Sequence, residues 1–103
     1  MKTLIMEKEI EQQLVRLTRR HGGYAMKWVC PGWAGVPDRI VLLPGGRVYF
    51  IELKRPGGRA SERQTWWAKK LHDLGFACFF LLSADDVQHF EELITSATRE
   101  VIP

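Results

Sequence analysis

Three residues of this chain have the types and spacing for chemistry at phosphorus: Asp38, Glu52 and Lys54. Asp38 opens one apolar run, and Glu52 lies near the end of the next, beyond the turn Pro44-Gly45-Gly46-Arg47. Pairing the two runs as a β-hairpin brings both carboxylates to the same end of a sheet. Glu52 and Lys54 are two apart on a strand, so their side chains leave the same face, while Leu53 points the other way into a core. Two carboxylates on neighbouring strands can hold one hard cation through oxygen. Magnesium needs few protein ligands, because it keeps waters and takes the rest from a phosphate. Such an ion offsets charge at phosphorus during in-line attack by water. The Lys54 ammonium would steady the same negative charge and favour the deprotonated attacking water.

Each signal also has a plainer explanation. A Glu-x-Lys pair on an exposed strand is usually a solvated pair, and an Asp before a strand is usually a turn residue. The setting raises their weight. Val48-Tyr49-Phe50-Ile51 and Phe79-Phe80-Leu81-Leu82 are apolar enough for a covered, central sheet. Charge at the end of a covered strand is costly to place without a use.

The elements that must carry these residues follow from periodicity. Met6, Ile10, Leu14 and Leu17 recur at helical spacing and predict a helix over residues 4–21, stopped by Gly22-Gly23. A strand over residues 24–30 carries Tyr24, Met26, Trp28 and Cys30 on one side. Residues 31–37 form a Gly/Pro loop, strands at 38–43 and 48–54 make the hairpin, and residues 55–60 are a basic, Gly-rich loop. Ser61-Glu62-Arg63-Gln64 has the capping-box form, opening a helix that runs to Leu74 and stops at Gly75. A buried strand at 76–82 precedes a last helix capped by Ser83, with acids in its first turn and an apolar face of Val87, Phe90, Ile94 and Ala97. The expected fold is α/β: a mixed sheet covered by helices, in the order α-β-β-β-α-β-α, as one domain over residues 1–103.

Composition removes several classes. Four Trp, five Phe and two Tyr supply large apolar groups and argue against disorder. Fifteen Lys and Arg against twelve Asp and Glu give a net charge of +3, but the excess is uneven. Residues 1–82 hold 14 basic and 7 acidic side chains, residues 83–103 one basic and five acidic. The basic body is compatible with a polyanionic partner such as nucleic acid, or with an ordinary mixed surface. No apolar run approaches the roughly 20 residues of a membrane helix. The start turns acidic at Glu7, too soon for a signal peptide. Cys30 and Cys78 make neither a disulfide framework nor a zinc site. A reduced, cytoplasmic protein without a membrane partner is expected. A Gly-x-x-x-x-Gly-Lys loop, a nucleophile elbow and a His cluster are all absent from the sequence.

Pro37-Asp38 followed by Glu52-Leu53-Lys54 resembles the PD-(D/E)xK nuclease pattern. The closer resemblance is to the virus-type replication-repair nuclease domain, VRR-NUC. It is carried by Glu7-Lys8-Glu9-Ile10-Glu11, Gly35-Val36-Pro37-Asp38-Arg39, Phe50-Ile51-Glu52-Leu53-Lys54-Arg55-Pro56-Gly57, Gln64 and Leu74-Gly75-Phe76, and covers nearly the whole chain. The resemblance implies a restriction-endonuclease-like core and a magnesium- or manganese-dependent endodeoxyribonuclease. Asp38 and Glu52 would be the metal-binding carboxylates, joined by the Leu53 carbonyl, and Lys54 the catalytic lysine. An acid of the first helix would complete the site. Glu7 is favoured and Glu11 is the alternative; they lie at i and i+4 on one side of the helix, and the other would be a solvated flank. Glu9 points away. Gln64 would face the site, a role of equal weight with its half of the capping box.

Arg55, Arg59 and Arg63 cluster around Gly57-Gly58, where phosphates can approach closely and guanidinium groups bind them bidentately. Arg39, on the strand face opposite Asp38, is a further candidate for DNA or a charge at a sheet edge. Of the adjacent Trp66 and Trp67, one enters a core easily and the other suits a subunit interface. Trp33, in the Gly/Pro loop, suits an interface, a stacked base or a local plug. Small family members imply a homodimer cutting branched DNA such as Holliday junctions, in DNA repair within a bacterial or phage-infected cell. The rival readings are a non-catalytic module that binds structured DNA, and a nuclease subunit dependent on a helicase or replication partner.

Overall fold

Ile10, Leu14 and Leu17 are buried along one side of the first helix, α1 (Lys2–Arg20), as their spacing requires. The computed structural model describes residues 2–101, with side chains for residues 7–96. Met6 and Ala97, expected on the apolar faces of the first and last helices, lie outside the described side chains. The α1 helix ends in a double bond pattern. Gly22 N–H donates to the Arg19 carbonyl at 3.0 Å and Gly23 N–H to Thr18 at 2.8 Å. That closure needs a left-handed residue, and Gly22 supplies it at φ 83°.

Strands β1 (Tyr24–Lys27), β2 (Arg39–Leu43) and β3 (Arg47–Leu53) follow as an antiparallel meander. Helix α2 (Glu62–Asp73) then crosses over and returns the chain as β4 (Ala77–Leu81), which pairs parallel with β3. The last helix is α3 (Ala84–Val101). The sheet order is β1-β2-β3-β4, so the element order and the mixed α/β architecture are those expected. The capping box at Ser61 and Gln64 is formed: each residue's backbone N–H donates to the other's side chain, at 2.9 and 3.1 Å. Substituting Ser61 by Ala is expected to lower the unfolding free energy by about 1 kcal/mol in urea titrations. An unchanged midpoint would show that α2 does not depend on its cap.

The two sheet faces differ. One packs Val41, Leu43, Ile51, Leu53 and Leu81 against Ile10, Leu14 and Leu17 of α1 and Val87, Phe90 and Ile94 of α3. The other gathers Phe50 and Cys78 with Ala68 and Leu71 of α2. One helix covers less than two, and α2 lies over β4, so the β1 end of its face stays open. This explains the strand expected over residues 24–30. Its outward side chains Tyr24 and Met26 are exposed, and Ala25, on the other side, packs on the α1 core. The strand also ends early, at Lys27. One more ladder bond forms, from Trp28 N–H to the Asp38 carbonyl at 2.8 Å, and Trp28 then packs on Phe50. Cys78 is buried, Cys30 half-buried, and both are free thiols. Among the described residues no helix is long and apolar enough to cross a membrane.

Candidate active site

The β2–β3 register pairs Arg39 with Ile51, so the next step out sets Asp38 beside Glu52. The carboxylates therefore meet at one end of the sheet, on the face shared with Ile40 and Phe50. Asp38 is exposed, and its Oδ2 accepts a 3.0 Å hydrogen bond from Leu53 N–H. That bond ties it to the neighbouring strand and fixes the carboxylate's direction. Glu52 is 2% exposed. Leu53 turns into the α1 core, as strand alternation demands. Lys54 continues the ladder beyond β3, its N–H donating to the Leu81 carbonyl at 3.0 Å.

Burial is the main reason the Glu52 carboxyl is pushed up to about 9. A hydrogen bond with Asp38 and the Asp38 charge push the same way, Lys54 opposes them, and Glu7 adds a small further rise. Without a cation, this pair holds a proton at neutral pH. The sign for stability follows from linkage. A carboxyl whose folded value lies above its unfolded one contributes most below about pH 4.5, and that contribution drains away as pH rises toward 9. In chelator, the thermal midpoint should therefore fall between pH 5 and pH 8.5, and Glu52→Gln should flatten the slope. Equal slopes in the two proteins would remove Glu52 as the cause.

The first helix supplies two acids with different surroundings. Glu11 forms an ion pair with Arg39, whose second terminal nitrogen donates to the Ala25 carbonyl at 2.9 Å. The Arg39 side chain is 11% exposed, and its buried Nε has no partner among the described residues. Arg39, expected beside DNA, is thus turned inward and its terminal nitrogens are engaged. Glu7 is exposed one turn before Glu11. With the Glu11–Arg39 pair, Lys8, Lys27 and Asp38 it lines an open cleft of about 430 Å³. Its charge reaches Glu52. Gln64 spends its Oε1 on the helix cap. Arg55, Arg59 and Arg63 are all exposed, on the loop after Lys54 and the first turn of α2. Lys8 and Lys27 line the cleft, although the sequence singled out neither as a site residue and gave Lys27 only a share in the general positive field. Their signals were adjacency to Glu7 and the pairing of Lys27 with Arg39 across β1–β2.

Among the described residues no three His, Cys, Asp or Glu side chains converge closely enough to hold a metal ion. The donor set nevertheless suits one class of ion. A buried Glu52 carboxyl that keeps its proton beside a second oxygen donor gains by exchanging that proton for a divalent cation. Magnesium asks for only one or two protein carboxylates and completes its shell with water and phosphate.

A buried carboxyl beside an exposed one, with a lysine beyond them at the end of a strand in a helix-covered mixed sheet, suits a nuclease domain. The solved structure of a "VRR_NUC domain" superposes with a TM-score of 0.79, covering 84% of this chain and 94% of that one at 24% identity, which shows the shared fold. No family model matches the chain. A curated relative, "Putative nuclease p44" of Acyrthosiphon pisum secondary endosymbiont phage 1, is 44% identical over 82 residues, 80% of this chain and 88% of that protein. The chain belongs to the same family as this phage protein, and its fold is that of a VRR_NUC domain.

Proposed function

We propose that the protein is a metal-dependent DNA endonuclease that hydrolyses phosphodiester bonds in branched DNA such as Holliday junctions, acting as a homodimer. The observation that carries the nuclease reading is the Asp38–Glu52 carboxyl pair, with Lys54 two residues beyond Glu52 on the same strand end. Asp38, Glu52 and the Leu53 carbonyl would hold magnesium or manganese, with Glu7 the favoured further acid and Glu11 the alternative. The ion, when bound, supplies a Lewis acid that offsets charge at phosphorus and eases deprotonation of the attacking water. Asp38 brings a carboxylate already aimed by Leu53 N–H. Glu52 gives up its proton when the ion binds. The Lys54 ammonium stabilises the negative charge of the transition state. Arg55, Arg59 and Arg63 hold flanking backbone phosphates.

One feature supports the assembly. Tyr24, Met26 and Leu42 present an exposed apolar strip on the open part of the α2 face, and such a strip suits a second copy of the chain. A two-fold axis between two sites matches a substrate with two equivalent strands. The test uses purified protein with a four-way junction, a flap and linear duplex, in magnesium, manganese or chelator. Metal-dependent cutting of the junction, with a dimer by light scattering, is the expected result. Binding without cutting in every metal would favour a non-catalytic module. Cutting that appears only when a helicase is added would favour a partner-dependent subunit.

A further inference from the structure

A second constellation lies on the loop that leads into Asp38. Trp33 is 61% exposed and Trp66 is 52% exposed, an unusual cost for two of the largest apolar side chains. Both meet Trp67 edge to face, with ring centroids 5.7 and 5.0 Å away. Trp67 is half-buried and its indole N–H donates to the Ala34 carbonyl at 3.1 Å, which pins the loop to α2. Gly35 sits so close that a Cβ there would lie 2.5 Å from that of Arg63. The loop is therefore a docked surface of set shape. The rings line an open groove with Gly32, Ala34 and Arg63. Lys70 holds its ammonium 5.2 Å from the Trp66 ring.

An apolar plug would bury these rings, and they are not buried. An interface between copies would accept Trp and Arg but would shed the Lys70 ammonium held against Trp66, since Lys is depleted at interface cores. Aromatic faces set among cations fit one ligand chemistry well: unpaired nucleobases on an anionic backbone. Bases stack on the rings, and guanidinium and ammonium groups meet the phosphates. The groove also shares its loop with Asp38 and its helix with Arg63. Trp33 lies five residues before Asp38, so a strand gripped here is within roughly 17 Å of chain of that carboxylate.

We propose that Trp33 and Trp66 form a stacking platform for unpaired nucleotides, so that the protein engages DNA with a single-stranded segment beside the bond it cuts. The inference rests on the nuclease reading and deepens its substrate. Trp67 is a positioning residue, holding the platform through Ala34.

The experiment measures binding of the full chain in chelator to a blunt duplex and to the same duplex bearing a single-stranded oligothymidine tail, by anisotropy and by quenching of Trp fluorescence. The unchanged protein should prefer the tailed duplex. Trp33→Ala and Trp66→Ala should each weaken the tailed complex roughly 5- to 150-fold and alter the blunt one less than about twofold. Trp33→Phe and Trp66→Phe should restore most of the preference, since a smaller ring still stacks. Equal losses on both duplexes, or no loss on either, overturn the platform. A variant that turns a dimer into a monomer while keeping the preference assigns the groove to a second copy, and also overturns it. Metal-dependent cutting by an unchanged protein that shows no preference for the tail overturns the platform alone. An unchanged protein that neither binds nor cuts any DNA overturns the nuclease reading with it.

Discussion

Glu52→Gln is expected to remove DNA cutting while leaving the metal-free fold at least as stable as before. The two halves of that result have one cause. The Glu52 carboxyl is held up at about 9, so at neutral pH and without a cation it is the neutral acid, sharing a hydrogen bond with Asp38. Glutamine is nearly isosteric with that acid and can donate an amide hydrogen in its place. The thermal midpoint in chelator should then match the parent near pH 4 and lie above it near pH 7, where the parent must take up a proton to fold. Added magnesium should raise the parent's midpoint, since a ligand that binds only the folded state stabilises it, and should leave the variant's unmoved. Cutting should fall by at least about 10²- to 10³-fold, the usual cost of losing one electrostatic stabiliser. A variant that cuts at the parent's rate would take the site away from the Asp38–Glu52 pair.

Glu7→Ala and Glu11→Ala should separate function from structure on a single helix. Glu11 provides the counter-charge for Arg39, a guanidinium 11% exposed with one buried N–H already unpaired. Removing it should lower the unfolding free energy by about 1–3 kcal/mol, the cost of stranding a buried polar group. Any loss of cutting should be recovered by lowering the temperature. Glu7 is exposed and faces the cleft. Its loss should leave stability within about 0.5 kcal/mol and reduce cutting about ten- to a hundredfold at every temperature. The reverse pattern, with stability lost at Glu7 and cutting lost at Glu11, would exchange the two assignments.

Much of this was legible in the sequence because local chemistry decided it. Glycines marked two helix ends, a Ser-x-x-Gln box marked a helix start, and alternation put Asp38, Glu52 and Lys54 at one end of a hairpin. What was not legible depended on which helix covers which face. Tyr24 and Met26 alternate with Lys27 and Ala25 as inward residues would, yet α2 stops short of them and they stay exposed. Glu7 and Glu11 are equivalent by helical spacing. Only the reach of Arg39, from the strand face turned toward α1, distinguishes them. The depth of Glu52 was likewise out of view. It depends on the strand and helix around it, β4 and α2, whose sequences come later in the chain.

That last dependence bears on how the molecule acquires its chemistry. Strands β1 to β3 form a meander of neighbours, which closes short loops and can pair early. The parallel partner of β3 arrives only after a whole crossover helix, and it sets Phe80 beside Glu52 and the Leu81 carbonyl against Lys54. A chain emerging from the ribosome carries Asp38, Glu52 and Lys54 well before it carries the strand that buries one and tethers another. In the interval the glutamate stands in water, with an ordinary acidity and no fixed bearing on the lysine. The proposed site is thus among the last things the fold completes, and a partly made chain holds its residues without the burial that sets Glu52 apart.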